Sequence, residues 1–289
     1  MALFEELFLS RKSIYRRFKP FFRYIPTSSD SLFLCPKNES IWVMGADGKW
    51  LHRQGVVMIY RNITLKANLY WSWHLSESYD AITSDFKGIL PIMKECLPSG
   101  IVSDWKGSIV AAVNTFLPPI PHQRCLTHVQ RQLLTFLPYR SPIPATQALR
   151  RITLLLFAID SAQDLSIWKG MIVRWREKYG YLLKEKTITQ EKQTRSWWYT
   201  HGNLRRAIKL LEFDEEHLFA YLTHSFLPKT NNSLEGVNSQ IKSKLSNHRG
   251  MKTPQQVIYI FWLLTFSRVK TKKDLKQLWD RLKTKIFRY

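Results

Sequence analysis

The chain has 289 residues, with 44 Lys and Arg against 22 Asp and Glu, a formal charge of +22 and a pI near 10.0. A small soluble domain needs roughly 2 to 8 net charges to stay dispersed, so the excess points to a polyanionic partner. Hydrophobic residues make up 45% and aromatic residues 13%, which is material for a large core rather than a disordered basic tail.

Three cysteines, Cys35, Cys96 and Cys125, form no disulfide framework and no four-thiolate zinc site, so a reducing compartment is expected. The N-terminus is acidic where a signal peptide is basic, and the longest apolar run, Val257 to Phe266, is too short to span a bilayer. A cytoplasmic location and no membrane partner follow.

In chain order, Arg11, Lys12, Arg16, Arg17, Lys19 and Arg23 surround Ile14, Tyr15 and Phe18 in a short helical pattern that Pro20 interrupts. Residues 1–39 thus read as a basic helical remnant of a DNA-binding region, or as a solvated helix face. IWVMGADGKWL, GVVMIYRNI and ANLYWSWHL are β-branched and aromatic runs that predict an antiparallel meander. A helix is expected over Glu77 to Leu90, a strand at GIVSD ending in Asp104, a helix over Lys106 to Leu117, and a further helix from about Val129. The order β-β-β-α-β-α-β-α predicts an α/β, ribonuclease H-like fold with a mixed five-stranded sheet over residues 40–139.

Residues 140–225 show helical spacing and read as an all-helical insertion, with KEKTITQEKQTRS as an exposed loop. The last core helix falls in 226–255. Basic amphipathic helices occupy 256–289, where Leu275, Leu278, Leu282 and Ile286 recur at helical spacing. The pair Trp197-Trp198 offers either a stacking surface for bases or core packing; core packing is expected, as for Trp71 and Trp73.

Three carboxylates carry the chemistry: Asp47 in or just after the first strand, Asp104 at the end of the fourth, and Glu235 in the helix after TNNSLEG. In the expected strand order Asp47 and Asp104 meet, and Glu235 arrives from a helix on the sheet. Gathered carboxylates repel unless a cation intervenes, and hard divalent ions with oxygen ligands, two Mg²⁺ about 3.5–4 Å apart, relieve that repulsion and promote phosphodiester displacement. Each residue also has a structural reading. Asp47-Gly48 is a hairpin-turn dipeptide, Asp104 is placed to cap the next helix, and Asn232 with Glu235 matches a capping box.

DGKWL at 47–51, SES at 76–78, IVSDWKGS at 101–108, HQRCLTHVQRQ at 122–132, THGNLRRA at 200–207 and TNNSLEGVNSQIKSKLSNHRG at 230–250 resemble the catalytic core of Mutator-type transposases of the bacterial insertion-sequence branch. The resemblance runs from about residue 40 to 255. It implies a DDE transposase whose metal-binding triad is Asp47, Asp104 and Glu235, holding two Mg²⁺ or Mn²⁺, with the helical insertion placed before the catalytic helix. It also implies that Cys125 and His128 form the family's Cys-x-x-His element beside the active site. The partners implied are transposon ends and target DNA, bound by a homo-oligomer in a bacterial or archaeal nucleoid. Such proteins carry a zinc ribbon and helix-turn-helix before the core, and the residues before Asp47 hold only Cys35, so an N-terminally shortened copy is expected.

Cys125 and His128 alone make half a zinc site, which favours a neutral His near the metals or the scissile phosphate. Arg124 and Arg131 flank them and are either phosphate ligands or ion-paired and solvated arginines. Asn238 and Lys242 share a helix face with Glu235 and reach DNA entering the site, as do His248 and Arg249 in the following turn. Two other functions stay open: a non-catalytic, basic DNA-binding remnant, and a ribonuclease H-like nuclease that cleaves without joining.

Overall fold

Three runs rich in β-branched and aromatic residues pair as the expected meander: β1 (Val43–Leu51), β2 (Gly55–Asn62) and β3 (Ala67–His74). The computed structural model describes residues 11–31, 41–94, 96–188, 197–248 and 250–287. Its contacts divide the chain into two units, Met1–Ser99 with Lys106–Pro119 and Asn232–Tyr289, and Gly100–Trp105 with Ile120–Asn231.

In the first unit, side-chain alternation sends the two faces of the meander into different cores. One face meets α2 (Tyr79–Met93), where Phe86 packs edge-on against Tyr60 at 5.9 Å. That interior also holds the buried Asp85, which accepts hydrogen bonds from Tyr60 Oη at 2.9 Å and Ser72 Oγ at 2.8 Å and pairs with His74 Nε2 at 2.9 Å. Three partners satisfy a carboxylate that is too costly to bury alone. The opposite face carries Val57, Ile59 and Trp71, which join Leu234 and Ile241 of α10 (Asn232–Ser246) and Ile260 and Phe261 of α11 (Thr253–Phe266) in one apolar cluster. The helix α3 (Gly107–Phe116) completes the helical complement around α2.

The pair Asp47-Gly48 is not a turn. Both lie inside β1, Asp47 opposite Ile59 and Gly48 opposite Met58, and the hairpin turn falls four residues later, where His52 takes a φ of +55°. Glycine is needed at 48 for a different reason: a Cβ there would collide with the Glu77 carboxylate. Glu77, itself buried, is bridged to Lys106, whose ammonium lies 5.7 Å from the centre of the Trp50 ring.

The short α1 (Arg11–Phe18) ends before Pro20 as expected. Phe21 and Tyr24 then pack with Trp262 of α11 and with Leu278, Leu282 and Ile286 of α12 (Lys272–Ile286). Leu275, grouped with these by spacing, is exposed.

In the second unit, β4 (Gly100–Ser103) and β5 (His122–Arg124) pair in parallel, Ser103 opposite Arg124. Among the described residues the α-helices that follow are α4 (Leu126–Phe136), α5 (Pro144–Leu154), α6 (Ala162–Tyr179), α7 (Gly202–Glu212), the one-turn α8 (Glu215–Leu218) and α9 (Ala220–Thr223). Gln123, fully buried, donates to the Leu218 carbonyl at 2.9 Å and accepts from the Tyr221 N–H at 3.0 Å, tying these short helices to β5. Trp168 and Trp175 are buried with their indole N–H groups on the carbonyls of Ile152 and Ala145.

The stretch expected to be all helical also contains a hairpin, β6 (Lys186–Ile188) with β7 (Trp197–Tyr199). The Thr and Ile of KTI and the aromatics of WWY suit a strand and outweigh the helical spacing around them. Trp197 and Trp198 are 36% and 41% exposed, contrary to the expected core packing, because among the described residues no second layer covers the two-stranded ribbon. Lys186 instead lies 4.1 Å from the Trp197 ring centre and Arg205 lies 3.5 Å from that of Tyr199. Residues 189–196 of the expected loop, and Cys35, lie outside the described residues.

The strands make a mixed five-stranded sheet in the order β3-β2-β1-β4-β5, the ribonuclease H-like α/β arrangement. No described helix is long and apolar enough to cross a membrane.

Asp30 links the two ends of the first unit. It is 1% exposed and takes hydrogen bonds from Lys285 Nζ at 2.6 Å, Thr27 N at 2.9 Å and Tyr24 Oη at 2.7 Å. Burial alone would raise its pKa, but these donors outweigh burial and hold it below the ordinary value of 3.8. Its stabilisation is therefore fully present above that value and is lost as pH falls through the lower folded pKa. Replacing Asp30 with Asn is expected to cost about 1–3 kcal/mol at pH 7. Urea denaturation at pH 7 and near pH 3 should find the gap between variant and wild type closing at the acid end.

Candidate active site

Asp47 occupies the middle of β1 and is 6% exposed. Its Oδ1 accepts from the Gly48 N–H at 2.9 Å and its Oδ2 from Asn238 Nδ2 at 2.8 Å. Asn238 stands on α10, whose Leu234 and Ile241 are locked into the apolar cluster on the sheet. Glu235 is one turn before Asn238, so the flank of α10 that meets Asp47 is also the flank that carries Glu235. The helix begins at Asn232 itself, which places Asn232 inside it rather than in the cap of a capping box.

Beside this flank a groove of about 380 Å³ is lined by Lys49, Trp50, His52, Lys242, His248 and Gln256. Lys49 shares a strand face with Asp47, and Lys242 lies seven residues after Glu235, so the groove and the carboxylates belong to adjoining stretches of the same two elements. His248 sits edge-on to Tyr259 at 5.2 Å. Arg249 lies outside the described residues.

In the second unit Asp104 follows directly on β4. The cap of α3 is Lys106, not Asp104, so the helix-capping reading of this carboxylate fails. The next residue, Trp105, has a φ of +67°, a left-handed conformation that costs a bulky residue about 1–2 kcal/mol and persists only where its surroundings impose it. Ser103 Oγ accepts from the Trp105 N–H at 3.2 Å and is 2.8 Å from His122 Nε2. The indole ring has His122 at 4.6 Å and His217 at 4.5 Å as ring neighbours. Burial, then the nearby His217, pulls the His122 pKa down to about 3, so it remains neutral near pH 7. His217 in turn meets Asp214 at 2.5 Å.

Arg124, expected at a phosphate, is 5% exposed. Burial pulls its pKa down, and Asp214 and Asp104 pull the other way, so its charge faces carboxylates within the protein. Arg131 is exposed on α4. Because α4 starts at Leu126 rather than near Val129, Cys125 caps it and His128 lies in its first turn. Cys125 is buried, with its sulfur accepting from the Asn231 N–H at 3.3 Å, whereas His128 is half-buried.

Asp47, Glu235 and Asp104 are hard oxygen donors of the kind that hold Mg²⁺ or Mn²⁺. A second acceptor stands with Asp47: Asn238 Oδ1 is buried with no hydrogen-bond partner among the described residues, an oxygen that a cation or its water would satisfy. Within the first unit, Asp47, Glu235 and Asn238 thus offer oxygen donors of the kind that suit a divalent ion. Helical spacing puts Asn238 on the flank of Glu235, and the structure adds its hydrogen bond to Asp47; the roles of Trp105 and His217 beside Asp104 are not read from the sequence. A Trp directly after a strand-end Asp was the only sign of the strained turn.

A ribonuclease H-like fold with carboxylates on β1, after β4 and on a late helix supports a DDE-type nuclease or transposase. Residues 111–243 match the family model of the Transposase IS66 family, so over just under half of its length the chain is similar to a DDE transposase. The matched stretch contains Cys125, His128, Glu235, Asn238 and Lys242, and leaves Asp47 and Asp104 outside it. It does not select the Mutator type. No curated protein matches the chain.

Replacing Asn238 with Ala should leave the fold intact at a cost of about 1 kcal/mol while loosening Asp47. On the reading of Asp47 as a metal ligand, thermal-shift titration with Mg²⁺ or Mn²⁺ should find metal affinity reduced by about 10- to 100-fold, the loss expected on removing a group that orients such a ligand.

Proposed function

We propose that this protein is a DNA transposase that cleaves and joins strands with Asp47, Asp104 and Glu235 as its metal-holding triad. The observation that carries this reading is the buried Asp47, held mid-strand by Asn238 from the same helix flank that bears Glu235. Asp104, at the end of β4 next to a strained Trp105, supports it from the second unit. The match to a transposase family model supports DNA as the substrate. The Mutator-type branch rests on the motifs from DGKWL to TNNSLEGVNSQIKSKLSNHRG.

The triad would hold two divalent ions, which when bound would supply an activated nucleophile and stabilise the leaving oxygen of an in-line displacement. The chain's own contribution is to position and to neutralise. Gly48 N–H and Asn238 fix both oxygens of Asp47, and the Ser103, His122 and His217 contacts hold the turn that follows Asp104. Arg124 offsets the Asp104 charge from inside the protein, a role we assign in place of DNA contact. Lys49, Lys242 and His248 line the groove and track the backbone, joined by the exposed Arg131; Arg249 is assigned to DNA from its place in the sequence alone. His128 and Cys125 stand as support beside the site.

Water attacks the phosphodiester at a transposon end and the 3′ oxygen departs as a hydroxyl. That hydroxyl then attacks a target phosphodiester, forming one bond as the target's own 3′ oxygen leaves. We further propose a homo-oligomer on DNA, acting at the nucleoid.

Asp47→Asn, Asp104→Asn and Glu235→Gln should each reduce Mg²⁺-dependent nicking and joining of plasmid DNA at least about a hundredfold while sparing DNA affinity. Joined products separate a transposase from a nuclease. A wild-type chain that binds DNA and yields no metal-dependent product would instead be the non-catalytic remnant.

A further inference from the structure

The flank of α10 that faces away from Asp47 borders a second cavity within the first unit, of about 570 Å³, between the ends of β2 and β3, α10 and α11. Its polar lining includes Arg61, Lys66, Asn68, Ser233, Lys244 and Ser267, and neither Asp nor Glu lines it among the described residues. The side chains are ordered around the arginine. Arg61 Nε donates to Ser233 Oγ at 2.8 Å and Nη1 to Asn68 Oδ1 at 2.5 Å, while Asn68 Nδ2 donates to Ser267 Oγ at 3.2 Å.

Every acceptor that Arg61 finds among the described residues is neutral. A guanidinium offers five N–H groups, so those two bonds fix its plane and leave donors over, and its charge is not cancelled. Burial, and then repulsion from Arg268, pulls its pKa down to about 10, which means that a second arginine has been brought close rather than a carboxylate. A half-buried, oriented arginine with Lys66 and Lys244 at the rim is costly to assemble unless an anion completes it. The planar fork matches two oxygens of a phosphate, and the lysines add charge without geometric demand.

We infer that this cavity is a second phosphate site, which takes a backbone phosphodiester of DNA away from the bond being cut. The assignment to DNA rests on the function proposed above; the anion chemistry does not. The stripe of Leu234 and Ile241 separates the two flanks of α10. A helix with side chains is about 10–12 Å across, comparable to the width of a DNA groove, so one duplex can meet both flanks. The cavity holds the duplex in register while the carboxylate flank meets the reacting phosphate.

The test uses the full chain with Lys66→Gln and Lys244→Gln combined, because both lysines are exposed and neither is bonded into the cavity's ordered network. Fluorescence anisotropy with a duplex across a salt series should show affinity reduced about five- to tenfold near physiological salt and the log–log salt slope shallower by about one. Arg61→Gln should deepen the loss. Asp47→Asn should bind as the wild type does. Unchanged affinity and slope in the double variant would overturn the proposal. Inorganic phosphate that stabilises the wild type thermally but not the double variant, with equal DNA binding by both, would overturn the assignment to DNA in favour of a free anion. A wild type without nicking activity but with the slope difference intact sinks the transposase reading and supports the phosphate site; intact nicking with an unchanged slope does the reverse.

Discussion

The first unit depends on how α10 lies against the sheet. Leu234 and Ile241 bury themselves with Ile59, Trp71 and Phe261, and that apolar seam sets the rotation of the helix about its axis. Once the rotation is set, Asn238 is within 2.8 Å of Asp47 on one side and Ser233 within 2.8 Å of Arg61 on the other. A helix turned by one residue, about 100°, would lose both. The acidic flank and the basic flank are thus consequences of one packing choice.

The excess positive charge takes on meaning from that arrangement. Most of the 44 basic side chains are spread over the surface, but those on α10 and the adjoining strands are sorted: Lys49, Lys242 and His248 beside the carboxylate flank, Arg61, Lys66 and Lys244 beside the other. In the second unit the sorting runs the opposite way. Arg124 is turned inward against Asp104 and Asp214, where low dielectric strengthens the attraction and removes the arginine from solvent. The same residue type serves as surface charge in one place and as an internal counter-charge in another, and burial decides which.

Strain and close approach mark the two aspartates more sharply than charge does. Asp47 precedes a glycine that admits the Glu77 carboxylate on the far face of the strand, and Asp104 precedes a tryptophan forced into a left-handed turn between two histidines. Both are arrangements that a chain keeps only when neighbouring elements over-determine them. Each fixes the backbone at the carboxylate itself, so the side chain has little freedom left to lose when a ligand binds.

The meander, the β-α-β-α order after it and the helical character of most of residues 140–225 were legible in the sequence, because period-2 and period-3.6 patterns and Pro or Gly breaks are local signals. So was the face shared by Glu235, Asn238 and Lys242, since helical spacing is arithmetic. The Asp47-Gly48 pair reads as a turn locally, and only the pairing of Asp47 with Ile59 makes it mid-strand. Trp197 and Trp198 read as core by composition, yet no second layer among the described residues covers their strands and both are exposed. Arg124 offers no sequence sign of its burial, and Arg61 none of its neutral partners, because Arg124 donates to the Phe213 carbonyl and Arg61 to Ser233, 89 and 172 positions away. Local periodicity determined which elements form and which residues share a face; which faces meet, and therefore which charges are cancelled and which are left to bind a ligand, was decided only by long-range packing.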